Sequence, residues 1–267
     1  MSSNQTPVLR LRQVGFVRAH KPILTNVSWT IEPAQRWAVL GANGSGKTTL
    51  LQIAALYEHP SCGSVELLGQ KLGKADVREL RQRVGFVSAS LAQMLRPHLT
   101  ATDVVMTARY GALEPWWHTY SQADRLRAEQ LLEDVGAGGL GQRSIGTLSS
   151  GERQRVQLAR SLMTNPALVL LDEPASALDL AGREMLIADL ARIANNPASP
   201  ALVMVTHRVE EIPPGFTHGL LLRNGEVLAQ GPLEQVLTSA QLSACFGISL
   251  ELGHRNGRWH AQAQTPS

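Results

Sequence analysis

Gly41-Ala-Asn-Gly-Ser-Gly-Lys-Thr48 fits the pattern G-x-x-x-x-G-K-[ST], and the residues on either side are those the pattern requires. The apolar run Trp37-Ala-Val-Leu40 reads as a buried strand, and Thr49-Leu-Leu-Gln-Ile-Ala54 as the helix that follows. Glycines at 41, 44 and 46 let the backbone curl until successive N–H groups converge. The helix start adds its partial positive charge at the same point. Lys47 can reach the β- and γ-phosphates of a nucleotide, and the Thr48 hydroxyl can take a place on Mg²⁺. Gly41, Ala42, Asn43, Gly44, Ser45, Gly46, Lys47, Thr48 and Thr49 are therefore predicted to cradle a nucleoside triphosphate.

At 267 residues the chain has room for one large or two modest domains. Its 43% hydrophobic and 18% charged content are those of an ordinary soluble globular protein. A formal net charge of +3 is small for this size and argues against nucleic acid as a partner. Cys62 and Cys245 lie far apart without metal-ligand spacing, which suggests buried or inert thiols in a reducing compartment. The first seven residues lack the basic and apolar regions of a signal peptide, and no apolar run approaches the roughly 18 residues a membrane span needs. The expected location is the cytosol.

Outward from the loop, residues 8 to 14 alternate like a half-buried strand, as do Val27, Trp29 and Ile31, and a short strand is expected around Val65 and Leu67. Alternation predicts that these strands are antiparallel, beside the nucleotide strand. Residues 76 to 83 read as a helix whose arginines (Arg78, Arg81, Arg83) form a solvated face, followed by a strand at Val84–Ser88. From about residue 90 to 148, helical segments are broken by glycine and proline. One of them, Asp124 to Val135, has apolar positions at Leu126, Leu131, Leu132 and Val135. The continuous apolar runs Ala167–Leu171 and Ala201–Val205 are expected to be parallel strands, linked by a crossover helix at 182–194. Asn224-Gly225 and Asn256-Gly257 each predict a hairpin, and fraying is expected from Gln262 onward.

Two more stretches bear on chemistry. Asp172-Glu173 closes a buried strand and so falls at the carboxyl edge of the sheet, where open α/β folds bind ligands. Asp172 can hold Mg²⁺ there, and Glu173 can polarise a water for attack on the γ-phosphate. Thr206-His207 would reach the same edge from the next strand. Leu148-Ser-Ser-Gly-Glu-Arg-Gln-Arg155 opens a helix with Val156, Ala159, Leu162 and Met163 on one face and Arg153, Gln157, Arg160 and Thr164 opposite. Ser149 and Gly151 at its start would form a second anion-binding end. If that end cannot fold back on its own phosphate loop, it must serve the nucleotide of another molecule.

Taken in order, these motifs resemble the ATP-binding subunit of an ATP-binding cassette (ABC) transporter, from about residue 8 to 240. Gly41–Thr48 matches Walker A, Leu148-Ser-Ser-Gly-Glu152 the family signature (usually Leu-Ser-Gly-Gly-Gln), and Ala167–Asp172 Walker B. Glu173 matches the catalytic glutamate, Ser176-Ala-Leu-Asp179 the D-loop, and His207 the switch histidine. The resemblance implies an α/β fold: a P-loop NTPase core with a parallel sheet, an antiparallel β subdomain and an inserted α-helical subdomain. The expected limits are 1–89 and 149–240 for the core, about 90–148 for the helices and about 241–267 for a C-terminal extension. It implies a Mg²⁺-dependent ATPase, with Glu173 and His207 catalytic and Thr48 and Asp172 at the metal. It further implies a head-to-tail dimer with a second copy or paralogue, in which Ser149 and Gly151 meet the partner's ATP and Asp179 makes a dimer contact. Integral membrane permease subunits would be the other partners, placing the chain on the inner face of the cell membrane. The segment Asp103–Tyr110 is similar to those of iron-chelate and related metal-complex importers.

Three positions depart from the family pattern. Arg18 stands where an aromatic residue usually stacks on adenine, a task a guanidinium can also perform. Ala89 stands where a glutamine usually organises the metal and water and senses the membrane subunit, with Ser90 and Gln93 nearby as substitutes. Ser150 and Glu152 replace the usual Gly and Gln of the signature. Ala89 keeps a second reading open, a soluble ABC-type ATPase without a permease that acts in regulation or beside nucleic acid. Glu173 and His207 argue against a third, a binding module that has lost hydrolysis.

Overall fold

Two long strands open the fold, β1 (Leu9–Arg18) and β2 (Lys21–Ile31), joined by a tight turn in which Ala19 and His20 both take positive φ (48° and 63°). The computed structural model describes residues 6–115 and 118–264. Trp116-Trp117, which the sequence offers equally as a permease-docking patch or as ordinary packing, falls outside them, as do the first five and last three residues. β1 runs four residues beyond the stretch whose alternation marked it and pairs on its other side with β4 (Cys62–Leu67). With the short β5 (Gln70–Lys71) this makes a four-stranded antiparallel sheet in the order β2-β1-β4-β5. It buries Leu9, Leu11, Val27, Trp29 and Ile31 on its inner face.

The central sheet holds β3 (Arg36–Leu40), β6 (Val84–Val87), β7 (Leu168–Asp172), β8 (Ala201–Thr206), β9 (His218–Arg223) and β10 (Glu226–Pro232). Their order is β10-β9-β3-β8-β7-β6, and every neighbouring pair is parallel except the hairpin β9–β10. The uninterrupted apolar runs of β3, β7 and β8 still obey the period of two, because successive side chains go to two different cores. Ala38, Leu40, Val169, Leu171, Leu202 and Met204 join one core with the helices. Trp37, Val39, Leu168, Leu170, Val203 and Val205 join the other, against the antiparallel sheet.

The helices are α1 (Lys47–Ala54), α2 (Val77–Gln82), α3 (Ala89–Met94), α4 (Ala101–Thr107), α5 (Gln122–Asp134), α6 (Ser150–Leu162), α7 (Leu180–Asn195), α8 (Leu233–Val236) and α9 (Ser239–Phe246). Side-chain caps start several of them: Asp76 for α2, Ser88 for α3, Thr100 for α4 and Ser121 for α5. The chain ends in a separate hairpin of β11 (Leu250–Arg255) and β12 (Arg258–Ala263), so Gln262 lies inside a strand where fraying was expected.

Several side chains differ from their sequence reading. Leu126 stands exposed, while Leu131 and Leu132 on α5 and Val135 just after it are buried. The polar face of α6 is only partly a solvent face: Arg153 is exposed, but the residues after it turn inward. Gln157 is buried, and Arg160 turns inward to donate from Nη2 to the Ala112 carbonyl at 2.8 Å and from Nε to Thr107 Oγ1 at 3.3 Å. Of the arginines expected on a solvated face, Arg78 and Arg83 are exposed, while Arg81 is half-buried, donating to the Leu56 carbonyl and lying over the Tyr57 ring. Of the two thiols Cys245 is buried, but Cys62 is exposed.

Candidate functional site

β3 ends at Leu40 and hands the chain to the glycine-rich loop. A side chain at Gly41 would place its Cβ 2.3 Å from the Leu222 carbonyl oxygen and 2.6 Å from Ser45 Oγ, so only glycine fits. Gly44 and Gly46 take φ of 80° and 101°, the left-handed region that curls the loop. The loop is propped from below by the β9–β10 turn, where Gly225 donates its N–H to the Ser45 carbonyl at 3.0 Å. α1 then starts on Gly46 with no side-chain cap and no acidic residue in its first turn. Its leading N–H groups are therefore not claimed by a side chain, and the Ser45 hydroxyl is buried with no hydrogen-bond partner. That is the arrangement a bound anion would complete.

Lys47 is 5% exposed, with its ammonium donating to the carbonyls of Gly41 at 2.9 Å and Ala42 at 3.0 Å. Burial lowers its pKa, and the carboxylates of Glu173 and Asp172 pull it back up. Thr48 donates its hydroxyl to Asp172 Oδ1 at 3.3 Å, although the two are far apart in sequence. The sheet order β3-β8-β7 explains the meeting, because it sets the carboxyl ends of these three strands side by side. Burial pushes the Asp172 carboxyl upward, against the opposing effect of the Thr48 hydrogen bond.

Glu173, directly after β7, sits at φ 46°, a backbone region uncommon for a side chain of this length and typical of functional sites. Its N–H donates to the Val205 carbonyl at 3.1 Å, which anchors it to β8. From there Glu173 Oε1 lies 3.9 Å from Lys47 Nζ and 3.5 Å from His207 Nδ1, the latter approach lacking hydrogen-bond geometry. Thr206 and the buried Glu211 hold the turn that carries His207: the Thr206 hydroxyl donates to the Glu211 carboxylate and accepts from the Arg208 N–H at 3.1 Å. Lys47, Thr48, Asp172, Glu173 and His207 thus converge on one sheet edge.

The other predicted residues lie elsewhere. Ser149 caps α6 and forms a full capping box: its hydroxyl accepts from Glu152 N at 3.2 Å, and its own N–H donates to Glu152 Oε2 at 2.7 Å. Arg143 pairs with Glu152 Oε1 at 3.1 Å. In front of Gly151 there is open space, the nearest atom to a Cβ there being Gly182 Cα at 4.0 Å. Asp179 caps α7 by accepting from Gly182 N at 2.7 Å. Among the described residues no hydrogen bond or ion pair joins 148–152 to the loop at 41–49. Arg18 pairs with Glu58 at 2.7 Å and lies over the Phe16 ring. Ala89 is the first residue of α3, and the Ser90 hydroxyl beside it is engaged by Ser88 Oγ at 3.0 Å.

Sequence reading missed three supports of the site. Gly225 props the loop, Glu211 fixes the turn of His207, and Cys245 lines a cavity of about 250 Å³ beside Ala42–Ser45. The Asn224-Gly225 signal could have pointed to the first; nothing local marks the other two. Burial pushes the Cys245 thiol up to about 11, which keeps it protonated and inert.

A family model described as ABC transporter matches residues 24–176. An uncharacterised ABC transporter ATP-binding protein, YlmA of Bacillus subtilis, is 40% identical over 246 residues, covering 92% of this chain and 93% of its own. The nickel import ATP-binding protein NikO of Rhodobacter capsulatus is 32% identical, over 89% of this chain and 94% of its own. Among solved structures, the dimeric ATP-binding cassette MJ0796 in a post-hydrolysis state bound to ADP and Pi is 27% identical. It superposes with a TM-score of 0.72, covering 84% of this chain and 98% of that one. The chain belongs to the ABC transporter family and is one of its ATP-binding, ATP-hydrolysing subunits.

Proposed function

We propose that this ATPase hydrolyses ATP in a site completed by a second copy or a paralogue, and that the cycle drives import of a metal complex through separate membrane permease subunits. The observation that carries the catalytic part is the place of Glu173, between Lys47 at 3.9 Å and His207 at 3.5 Å on the same edge as Asp172. In this reading the loop from Gly41 to Thr49 grips the phosphates through its N–H groups, and Lys47 turns from its own loop carbonyls to the β- and γ-phosphates. Thr48 Oγ1 and Asp172 Oδ1 are both oxygen donors, the ligand type Mg²⁺ takes, and they would hold it. Bound there, Mg²⁺ would neutralise charge on the phosphate oxygens. Glu173 takes the proton of the attacking water, and His207 orients that carboxylate and the γ-phosphate. Arg18 would face the base, after release from Glu58.

Ser149 and Gly151 would address the partner's ATP, with Asp179 at the contact between copies. The dimeric state of the similar cassette and the open space before Gly151 support this. A groove of about 380 Å³ supports the permease. It lies between α2–β6 and the segment from α3 to residue 113, and Tyr57, Met94 and Tyr110 are exposed there. A concave face that sets aromatic and aliphatic side chains beside Arg78 and Arg81 fits an amphipathic helix of another chain. Among the described residues no helix is long and apolar enough to cross a membrane. We place the chain on the inner face of the cell membrane, with the core at 1–89 and 149–240, the helical insertion at about 90–148 and the extension from about 241. The name of the nickel import relative supports both the direction and the substrate class.

The test is Glu173→Gln, measured as steady ATP turnover. Loss of a general base should cut turnover by about 10² to 10⁴ while ATP still binds and a dimer accumulates. Turnover near that of the unaltered protein would remove Glu173 from the role.

A further inference from the structure

The terminal hairpin β11–β12 lies beyond the span of the family match, yet it is firmly docked. Leu250, Leu252, Trp259 and Ala261 pack on the same core that holds Val209 and Ile212. From it one side chain reaches two other elements. Arg258 donates from Nη1 to Glu184 Oε2 at 2.8 Å and from Nη2 to Glu184 Oε1 at 3.3 Å, a two-point grip on α7. The same Nη2 donates to the Glu210 carbonyl at 2.6 Å. Further along β12, the Ala261 N–H donates to Glu210 Oε1 at 3.1 Å, so the hairpin holds Glu210 by backbone and side chain together.

Both partners occupy telling positions. Glu184 lies in the opening turns of α7, the helix that Asp179 caps. Glu210 lies in the short 3₁₀ turn Val209–Glu211 just after His207, and its neighbour Glu211 accepts the Thr206 hydroxyl on the other side of His207. The turn bearing His207 is thus fixed from within by Glu211 and from without by the hairpin.

We propose that Arg258 is a positioning residue and the C-terminal hairpin a clamp, which holds the turn after His207 to the helix begun by Asp179. The water-facing end of the site and the loop that faces the partner then move as one body. The proposal rests on the roles assigned above to Glu173, His207 and Asp179. Arg258 suits the task because a planar guanidinium can grip a carboxylate with two N–H groups and keep a third bond to a carbonyl, which a lysine ammonium cannot match in geometry. Its hydrogen bond is also the main reason that the Glu184 carboxyl is held below the usual carboxylate range.

The experiment compares MgATP turnover, KM and thermal unfolding of the full chain carrying Arg258→Ala, Arg258→Lys or Glu184→Gln, with Glu173→Gln run alongside. Loss of alignment should lower kcat about tenfold in Arg258→Ala while KM stays within about twofold. Arg258→Lys should recover part of that loss. Glu184→Gln should lower kcat in the same direction, and combining it with Arg258→Ala should add little, as expected for two members of one contact. Unchanged kcat in a folded Arg258→Ala overturns the clamp, as does a loss of kcat that merely follows a loss of Tm. If Arg258→Ala does not fold, Glu184→Gln decides, and an unchanged kcat there overturns it equally. Silence of Glu173→Gln with normal turnover in Arg258→Ala sinks the clamp alone. Normal turnover in Glu173→Gln removes the site roles, and the clamp with them.

Discussion

Two helices of this protein begin in ways that could hardly differ more. α1 starts on Gly46, in left-handed backbone, with no side-chain cap and no acidic residue in its first turn. α6 starts on Ser149 inside a closed capping box, with Glu152 in its first turn. Both follow motifs matched to nucleotide contact, yet one end is open to an anion and the other is satisfied by its own side chains. An uncapped helix start gives up about 1 kcal/mol of stability that a serine cap would provide, and a site that binds phosphate must forgo it. In the function proposed above, the start of α6 meets nucleotide only when another molecule approaches, and such an end must be stable without it. The capping box does that for α6, and Arg143 offsets the charge of Glu152 that an incoming phosphate would meet.

The contrast is sharpest at Lys47, which serves the open end. Lys47→Ala should weaken ATP binding by about 10- to 100-fold, the worth of hydrogen bonds to a charged group. Nucleotide titration checks it, and unchanged affinity would break the assignment. Ser149→Ala, at the closed end, should leave ATP affinity of the isolated chain unchanged and cost about 1 kcal/mol in a denaturant titration. A large loss of affinity there would mean that α6 serves its own loop.

Glu152 gives the comparison a dependence on pH. The Ser149 N–H, chief among its contacts and joined by the Ser149 hydroxyl and Arg143, holds its carboxyl below the usual range. Its contribution to stability is therefore complete above the ordinary carboxylate pKa of about 4.3 and is lost as pH falls through the lower folded value. Glu152→Gln should have a lower denaturation midpoint than the unaltered protein near neutral pH, with the gap closing as the pH falls below the ordinary carboxylate pKa of about 4.3. A gap that persists in acid would show that the charge is not what stabilises the cap. The smallest effect belongs to Ala89→Gln. Ala89 is exposed, so stability should stay within about 0.5 kcal/mol. Any gain in hydrolysis would then report on the attacking water, and none would show that the position does not control the rate.

What the sequence showed plainly was what depends on neighbours along the chain. Gly41–Thr48, the apolar runs of β7 and β8, and both Asn-Gly turns were all legible, since each is a short pattern with a direct steric or solvation cause. What it concealed depends on partners distant in sequence. Arg160 looked like a surface residue until α6 packed beside residues 107–112 and its guanidinium found a carbonyl there. Leu126, two residues before the buried Ala128, falls on the opposite face of α5 from Ala128, Leu131 and Leu132, so counting it with them misread the helical period. Glu211 is an acidic residue in a loop by any local rule, and only the fold turns it onto the Thr206 hydroxyl.

The turn at Asn224-Gly225 has a practical consequence. Hairpin tips are ordinarily where a tag, a fluorophore or a new terminus can be inserted with least harm. This one sits beneath the phosphate loop, where Gly225 supports Ser45, accepts from the Thr25 N–H and has no room for a Cβ beside the Ile23 carbonyl. The tip at Asn256-Gly257 leaves open space around Gly257, but a reporter there would sit beside Arg258 and its grip on Glu184, so neither Asn-Gly tip is a neutral place for one.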